Sequence, residues 1–194
     1  MDILDKAIGF AVKAHSGSVR KGTETPYIVH PLEAVAIVAT MTNDKEVMAA
    51  AALHDVVEDT DYTIDDVRKE FGERVAELVG AESEDKREDL PSEDTWKIRK
   101  QETIEHLANA SLEEKMIALG DKLSNIRAMY RDHLAIGDKL WERFNQKDKN
   151  EHGWYYGSIA KALSEFEDTV AYQEYCELVG KVFGDECMMR DDSK

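Results

Sequence analysis

Apolar residues recur at helical spacing near the start of the chain. Between Asp2 and His15 they fall three or four positions apart, which places them on one face of a helix. They are Ile3, Leu4, Ala7, Ile8, Ala11 and Val12. The pattern predicts an amphipathic first helix, followed by a loop over residues 16–24, where apolar periodicity is lost.

Two further apolar segments precede residue 60. The first is predicted to open a helix at Pro31, since proline suits a first helical turn. The second, from Lys45 to about Val57, is almost entirely alanine and other apolar residues, so it is predicted as one buried helix. By contrast, the stretch from Glu82 to Asp94 is rich in acids and is predicted to be an exposed connection or an irregular helix end.

Capping patterns mark two later helix starts. Thr63 with Asp66 predicts a short helix that Gly72 ends, and Ser111 with Glu114 is a capping-box pair. The later helices are predicted over 115–133, 135–144 and 154–183. With no internal repeat and no strand hairpin in the pattern, the sequence predicts an all-α fold.

Composition places the chain among globular proteins. It has 194 residues, 42% of them hydrophobic and 34% charged, which fits one domain, predicted over 1–183, with a polar tail over 184–194. No apolar run approaches the roughly 20 residues needed to cross a bilayer. The acidic start and the two cysteines, without metal-like spacing, favour a cytoplasmic setting without a signal peptide or a membrane partner.

The formal charge of −16 bears on the possible partners. A field of this sign repels nucleic acid, which is therefore not expected as a partner. A small anionic nucleotide remains a candidate ligand if basic residues or a metal ion are concentrated locally. The pattern leaves the oligomeric state open.

The strongest chemical signal is the segment Leu53–Thr60. His54 and Glu58 lie four positions apart, as do Asp55 and Asp59, so each pair would share one face if the helix continues. A histidine beside a carboxylate can bind a divalent ion, and Glu58 and Asp59, one turn further on, would then lie within reach of a metal-bound water. The alternative is a solvated helix end, but acids at a helix C-terminus cost about 0.3–1 kcal/mol each, and a cation would offset that cost.

Two other positions could complete a site. His30 lies between a polar loop and an apolar helix, where a histidine is more often a capping or packing residue. Asp121 lies inside a largely apolar helix, with Asn125 one turn later on the same face. Since burial of a lone carboxylate is costly, Asp121 needs a cation, a hydrogen-bond network or solvent.

These residues together resemble the HD superfamily of metal-dependent phosphohydrolases. The strings over 20–31, 54–60 and 121–127 are similar to the hydrolase domain of the RelA/SpoT family, and the resemblance covers about residues 1–180. It implies a helical bundle around a single metal site. No segment looks like a synthetase or regulatory domain, so the chain resembles a stand-alone, small alarmone hydrolase.

The resemblance also implies a role for each matching residue. One divalent ion, most often Mn²⁺ in this family, would be held by His30, His54, Asp55 and Asp121. The acids that handle the attacking water would be Glu58 and Asp59. The residues that contact the nucleotide would be Arg20, Lys21, Tyr27, Lys86 and Asn125.

Two features depart from the family pattern. Ser124 stands where these hydrolases often carry histidine or tyrosine. The aromatic segment 141–156 looks more like generic stand-alone HD hydrolases, and core packing is favoured over base stacking for its rings.

The expected reaction is metal-dependent hydrolysis of the 3′-pyrophosphate of guanosine tetra- or pentaphosphate to pyrophosphate and GDP or GTP. One alternative is an HD phosphohydrolase that acts on another nucleotide or nucleoside phosphate. Another is a metal-binding or nucleotide-binding module without catalysis, and a third is a structural helical domain whose polar cluster is satisfied internally.

Overall fold

The structure, a computed structural model, describes residues 2–82, 87 and 91–184. Within those ranges every regular element is helical, apart from an isolated bridge between Val19 and Pro26. The α-helices are α1 (Ile3–Ala14), α2 (Val29–Val38), α3 (Lys45–Leu53), α4 (Val56–Asp59), α5 (Ile64–Phe71), α6 (Glu73–Glu82), α7 (Ser92–Asn109), α8 (Leu112–Ile136), α9 (Lys149–Ala162) and α10 (Val170–Phe183). Two 3₁₀ segments cover Gly137–Arg143 and Ser164–Phe166. The predicted all-α class is confirmed, and none of the helices in the described ranges has the length and hydropathy needed to span a bilayer.

The contacts of the chain divide it into two compact units. Unit 1 comprises Met1–Ser83 and Ser111–Ser124, and unit 2 comprises Glu84–Ala110 and Asn125–Lys194. The single domain over 1–183 stays a prediction. Of the predicted tail, Gly184 ends α10 by donating its N–H to the carbonyl of Gly180, and residues 185–194 lie outside the described ranges.

Unit 1 is organised around α3. Every residue from Val47 to Leu53 is buried, and α1, α2 and α6 pack against this helix. Alanine has the highest helix propensity, and its small side chain lets neighbouring helices approach. Asp44 caps the first turn by accepting the Glu46 N–H at 2.9 Å. The alanine-rich run therefore forms the buried centre of the unit, as predicted.

Both predicted capping pairs are confirmed. Thr63 accepts the N–H of Asp66 through its hydroxyl oxygen, and Asp66 accepts the N–H of Thr63 in return. The carboxylate of Glu114 accepts the N–H of Ser111 at 2.7 Å. Each reciprocal pair satisfies N–H groups that a helix start leaves without intrahelical partners. Gly72 ends α5 as predicted, with φ 91°.

The predicted third helix is wrong at its end. It stops at Leu53 rather than near Val57, His54 and Asp55 form a turn, and a new single turn, α4, follows. The imidazole Nδ1 of His54 lies 2.9 Å from the carbonyl oxygen of Ala51 and so satisfies one of the carbonyls that α3 leaves unpaired. The same-face stacking of His54 with Glu58 in one continuous helix is therefore not realised.

Other predicted boundaries also need correction. The second helix begins at Val29, and Pro31 lies within its first turn, where a missing N–H costs no intrahelical bond. The segment predicted over 154–183 is two helices, because α9 ends at Ala162 and Thr169 caps a separate α10. The first of them begins earlier than predicted, at Lys149, where Asp148 caps it. The helices α6 and α7 were not predicted from the sequence.

The predicted exposed connection is only partly described. Its first residue, Glu82, is the half-buried last residue of α6, and α7 takes in its end from Ser92. Residues 83–86 and 88–90 lie outside the described ranges.

Unit 2 has an aromatic core around Trp141. This indole is 4% exposed, with the rings of His152 and Phe183 centred 5.3 and 5.5 Å away, and its N–H donates to Asp138. Tyr155 and Tyr156 are equally buried. The preference for core packing over base stacking is confirmed for these three residues.

We expect Trp141→Ala to lower the free energy of unfolding by about 3–5 kcal/mol, because it removes a large buried ring. Trp154→Ala is the matched control, since Trp154 is only half-buried and contacts Lys97 across its outer face. Urea unfolding followed by circular dichroism measures both losses. Equal losses in the two variants would contradict the central packing role of Trp141.

Candidate metal centre

The candidate metal ligands come from three elements of unit 1. His30 lies in the first turn of α2, His54 and Asp55 form the turn after α3, and Asp121 lies on α8. Asp55 adopts φ −92° and ψ −4°, a sparsely populated backbone conformation that is common for active-site residues. The break after Leu53 therefore gives the side chains of His54 and Asp55 orientations that they would not have in a continuous helix.

A glycine lets the ligand-bearing helices approach each other closely. A Cβ atom at Gly120 would lie 2.8 Å from Val38 Cγ2 and 3.0 Å from the carbonyl oxygen of Ala34, both on α2. Those distances leave no room for a side chain. The contact brings Asp121, the next residue on α8, beside the helix that carries His30.

Four side chains converge. His30 Nε2 lies 3.2 Å from His54 Nε2, 3.1 Å from Asp121 Oδ1 and 3.3 Å from Asp55 Oδ2. His54 Nε2 lies 3.0 Å from Asp55 Oδ2 and 3.7 Å from Asp121 Oδ1. The two imidazoles are almost fully buried. The structure thus brings together all four residues that the resemblance implies as metal ligands.

The partners of the other ring nitrogens fix which nitrogen of each histidine faces the cluster. His54 Nδ1 faces a carbonyl oxygen, which only accepts hydrogen bonds, so Nδ1 carries a proton. His30 Nδ1 lies 2.8 Å from the hydroxyl oxygen of Ser124, whose own proton is donated to Glu33. In their neutral forms both rings therefore present the Nε2 lone pair to the two carboxylates.

Such a donor set fits a divalent cation. Lone pairs and carboxylates at these separations repel one another unless positive charge lies between them, and imidazole with carboxylate suits several divalent ions. Burial lowers the pKa of His54, but Asp55 and Asp121 outweigh it and hold that pKa well above its usual value. Despite burial, the imidazole of His54 holds the pKa of Asp55 well below its usual value, and Lys122 does the same for Asp121. Both carboxylates therefore stay ionised and can hold positive charge.

Tyr27 joins this cluster to the predicted acidic pair. Its hydroxyl lies 2.7 Å from Asp55 Oδ2 and 2.8 Å from Asp59 Oδ2. Burial and the two carboxylates raise the pKa of Tyr27, so the hydroxyl keeps its proton and can donate to one carboxylate at a time. Glu58 is half-buried in the same turn as Asp59. The phenol, predicted to contact the nucleotide, is thus placed where it orients carboxylates.

Two of the other predicted nucleotide contacts precede Tyr27 in the chain. The Arg20 guanidinium lies 5.5 Å from the centre of the Tyr27 ring, and Lys21 is exposed on the adjoining turn. Asn125 is half-buried on α8, four residues beyond Asp121, and belongs to unit 2. Lys86 lies outside the described residues.

Sequence reasoning did not connect several polar groups with the cluster. Glu33 and Ser124 hydrogen-bond to each other, and Ser124 bonds to His30; each lies three positions after a predicted ligand, a spacing that could have revealed them. Burial raises the pKa of Glu82 to about 7, with Lys122 opposing the rise. His15 is buried against the ring of Tyr27, and burial lowers its pKa.

The chain is similar to several known proteins. A family model described as HD domain matches residues 7–140. A Danio rerio protein named guanosine-3′,5′-bis(diphosphate) 3′-pyrophosphohydrolase MESH1 is 36% identical over 132 residues, covering 66% of this chain and 70% of that protein. The Homo sapiens protein of the same name is 39% identical over 131 residues, with the same coverage. An Aquifex aeolicus guanosine-3′,5′-bis(diphosphate) 3′-pyrophosphohydrolase is 35% identical over 130 residues, which cover 66% of this chain and 18% of that longer protein.

Solved structures give the same picture. One described as a metazoan ortholog of SpoT that hydrolyses ppGpp superposes with a TM-score of 0.74 and 27% identity, covering 95% of this chain and 97% of that one. A Listeria monocytogenes crystal structure superposes with a TM-score of 0.69 and 32% identity, covering 79% of this chain and 98% of that one.

Proposed function

The chain belongs to the HD domain family, and we propose that it hydrolyses the 3′-pyrophosphate of guanosine tetra- and pentaphosphate in a metal-dependent reaction. The products are pyrophosphate and GDP or GTP. The observation that carries the proposal is the convergence of two imidazoles and two carboxylates that Tyr27 links to Asp59. The names of the relatives supply the substrate class.

The proposed metal ligands are His30, His54, Asp55 and Asp121. The proposed ion is Mn²⁺, since a mixed imidazole and carboxylate set suits it, although the same set also suits iron or zinc. When bound, a divalent ion lowers the pKa of a water molecule and polarises a phosphate oxygen. The protein holds the ligands ready for it by burying both imidazoles and keeping both carboxylates ionised.

The proposed catalytic acids are Glu58 and Asp59. They orient the attacking water and take its proton while the oxygen of the water attacks the phosphorus attached to the ribose 3′-oxygen. The bond between that phosphorus and the 3′-oxygen breaks, and the 3′-oxygen leaves with the proton that the acids took from the water. Tyr27 donates a hydrogen bond to the carboxylate of Asp59 or Asp55 and so limits their rotation.

The proposed nucleotide contacts are the remaining predicted residues. Arg20 and Lys21 neutralise the polyphosphate, which offsets the repulsion from a chain with net charge −16. Lys86 and Asn125 are proposed to contact parts of the nucleotide other than the polyphosphate. The same acidic charge supports the proposal that nucleic acid is not a partner, while a cytoplasmic setting without a membrane partner stays a prediction.

The test is the release of pyrophosphate from guanosine tetraphosphate, measured with Mn²⁺ and again after EDTA. We expect pyrophosphate release that EDTA abolishes and added Mn²⁺ restores. Release of orthophosphate from other nucleotides, without pyrophosphate from this one, would show an HD phosphohydrolase with a different substrate. Metal binding without turnover of any nucleotide would show a binding module.

The role of Tyr27 can be separated from direct substrate contact. We expect Tyr27→Phe to lower kcat about 10–100-fold with KM unchanged, because a lost hydrogen bond to a charged group is worth about 1.5–3 kcal/mol. Steady-state kinetics at saturating Mn²⁺ measure both parameters. A raised KM with unchanged kcat would instead indicate that the hydroxyl contacts the nucleotide.

A further inference from the structure

On its Nδ1 side, His30 is hydrogen-bonded to a short chain of residues. This chain includes Ser124, which departs from the family pattern. His30 Nδ1 lies 2.8 Å from Ser124 Oγ, and Ser124 Oγ lies 2.7 Å from Glu33 Oε2. His30 is 3% exposed and Ser124 is 1% exposed. We call this chain of three residues the Glu33 relay.

The chemistry of the groups sets the direction of each hydrogen bond in the Glu33 relay. A carboxylate only accepts hydrogen bonds, so the single hydroxyl proton of Ser124 is donated to Glu33. The hydroxyl oxygen then accepts the Nδ1 proton of His30. This order fixes the tautomer of the imidazole and leaves Nε2 as the nitrogen that faces the candidate metal ligands.

The Glu33 relay also joins two ligand-bearing helices within unit 1. Glu33 follows His30 on α2, and Ser124 follows Asp121 on α8, each by three positions. A rotation of either helix about its axis would therefore change the Ser124 bonds and the positions of two ligands together. His54, by contrast, is held by a carbonyl oxygen of its own helix.

We propose that Glu33 and Ser124 are positioning residues for a divalent ion, acting through His30. A carboxylate behind a ligating imidazole fixes the ring and makes its free nitrogen a stronger ligand. Neither residue is assigned a contact with the substrate or the attacking water. The inference rests on the metal-dependent function proposed above, but it concerns metal affinity and not the identity of the substrate.

The experiment is calorimetric titration of the metal-free protein with Mn²⁺. We expect Ser124→Ala to bind Mn²⁺ roughly 10–100-fold more weakly, the usual cost of losing a partner of a metal ligand. Ser124→Thr keeps the hydroxyl and is expected to bind Mn²⁺ with near wild-type affinity. Glu33→Gln keeps the shape but loses the charge, so its Mn²⁺ affinity is expected to lie between those of the wild type and Ser124→Ala. Because each variant keeps all four ligands, the affinities isolate the contribution of the Glu33 relay.

A spectroscopic measurement separates positioning from a general loss of structure. Imidazole ¹⁵N shifts of the metal-free protein should show His30 protonated at Nδ1 in the wild type and a mixture of tautomers in Ser124→Ala. His54 is the internal control, because its Nδ1 partner is a backbone carbonyl. If Ser124→Ala does not fold by circular dichroism, Ser124→Thr and Glu33→Gln still provide the comparison.

Each outcome has a defined meaning. Wild-type Mn²⁺ affinity in Ser124→Ala and Glu33→Gln, with the His30 tautomer unchanged, would overturn the proposal, and so would a wild type that binds no Mn²⁺. A wild type that binds Mn²⁺ and loses affinity with Ser124→Ala supports the Glu33 relay even if guanosine tetraphosphate is not hydrolysed. In that case the proposed reaction fails and the positioning role stands.

Discussion

Replacing Asp121 with alanine is expected to abolish Mn²⁺ binding and to lower kcat/KM about a thousandfold. Asp121 is a buried carboxylate whose Oδ1 lies 3.1 Å from His30 Nε2, so its loss removes both charge and a ligand from the cluster. A metal ion contributes several kcal/mol of charge stabilisation in a transition state, and about 4 kcal/mol corresponds to a factor of roughly a thousand. Metal content after dialysis and pyrophosphate release measure the two effects.

Two further variants test whether the charge of Asp121 is responsible for the loss. Asp121→Asn keeps the size of the side chain but not its charge, so it should lose most of the Mn²⁺ affinity for an electrostatic reason alone. Asp65→Ala is the control, because the Asp65 side chain is 86% exposed on α5 and pairs with Arg68 at the surface. Full metal content and turnover in Asp121→Ala would exclude this carboxylate from the centre.

Local signals in the sequence were enough to predict much of unit 1. The periodic apolar face of α1, the alanine-rich α3 and the two reciprocal capping pairs each depend on residues at most a few positions apart. Propensity, periodicity and capping act over that range, so they can be read without the fold. The caps at Asp148 and Thr169 act equally locally: the first could have placed the start of α9, and the second could have divided the last predicted helix.

The candidate site required long-range information. At the break between Leu53 and Val56 the His54 side chain satisfies the carbonyl of Ala51, a contact that helical periodicity does not reveal. Ser124 and Glu33 meet across a separation of 91 positions, and Tyr27 and Asp59 meet across 32. Packing of the helices decides such contacts. The resemblance implied the four candidate ligands, but not the hydrogen bonds that orient them.

We expect the double variant Glu58→Gln with Asp59→Asn to keep its Mn²⁺ affinity while its kcat falls by about 10²–10⁴, the usual contribution of a general base. The amides retain the size of the acids but take up no proton at neutral pH. Asp59 contacts the cluster through the Tyr27 hydroxyl, so the four candidate ligands themselves remain unchanged. Mn²⁺ titration and single-turnover pyrophosphate release provide the two measurements.

Mn²⁺ affinity and turnover must be measured on the same variants, because together they distinguish proton transfer from metal binding. Asp61→Asn is the matched control, an exposed acid two positions beyond Asp59, and it should leave both quantities unchanged. Wild-type turnover in the metal-loaded double variant would remove Glu58 and Asp59 from proton transfer. Loss of Mn²⁺ along with turnover would instead mean that the acids help to hold the ion. Only retained metal with lost turnover separates proton transfer from metal binding, because the two functions then belong to different carboxylates.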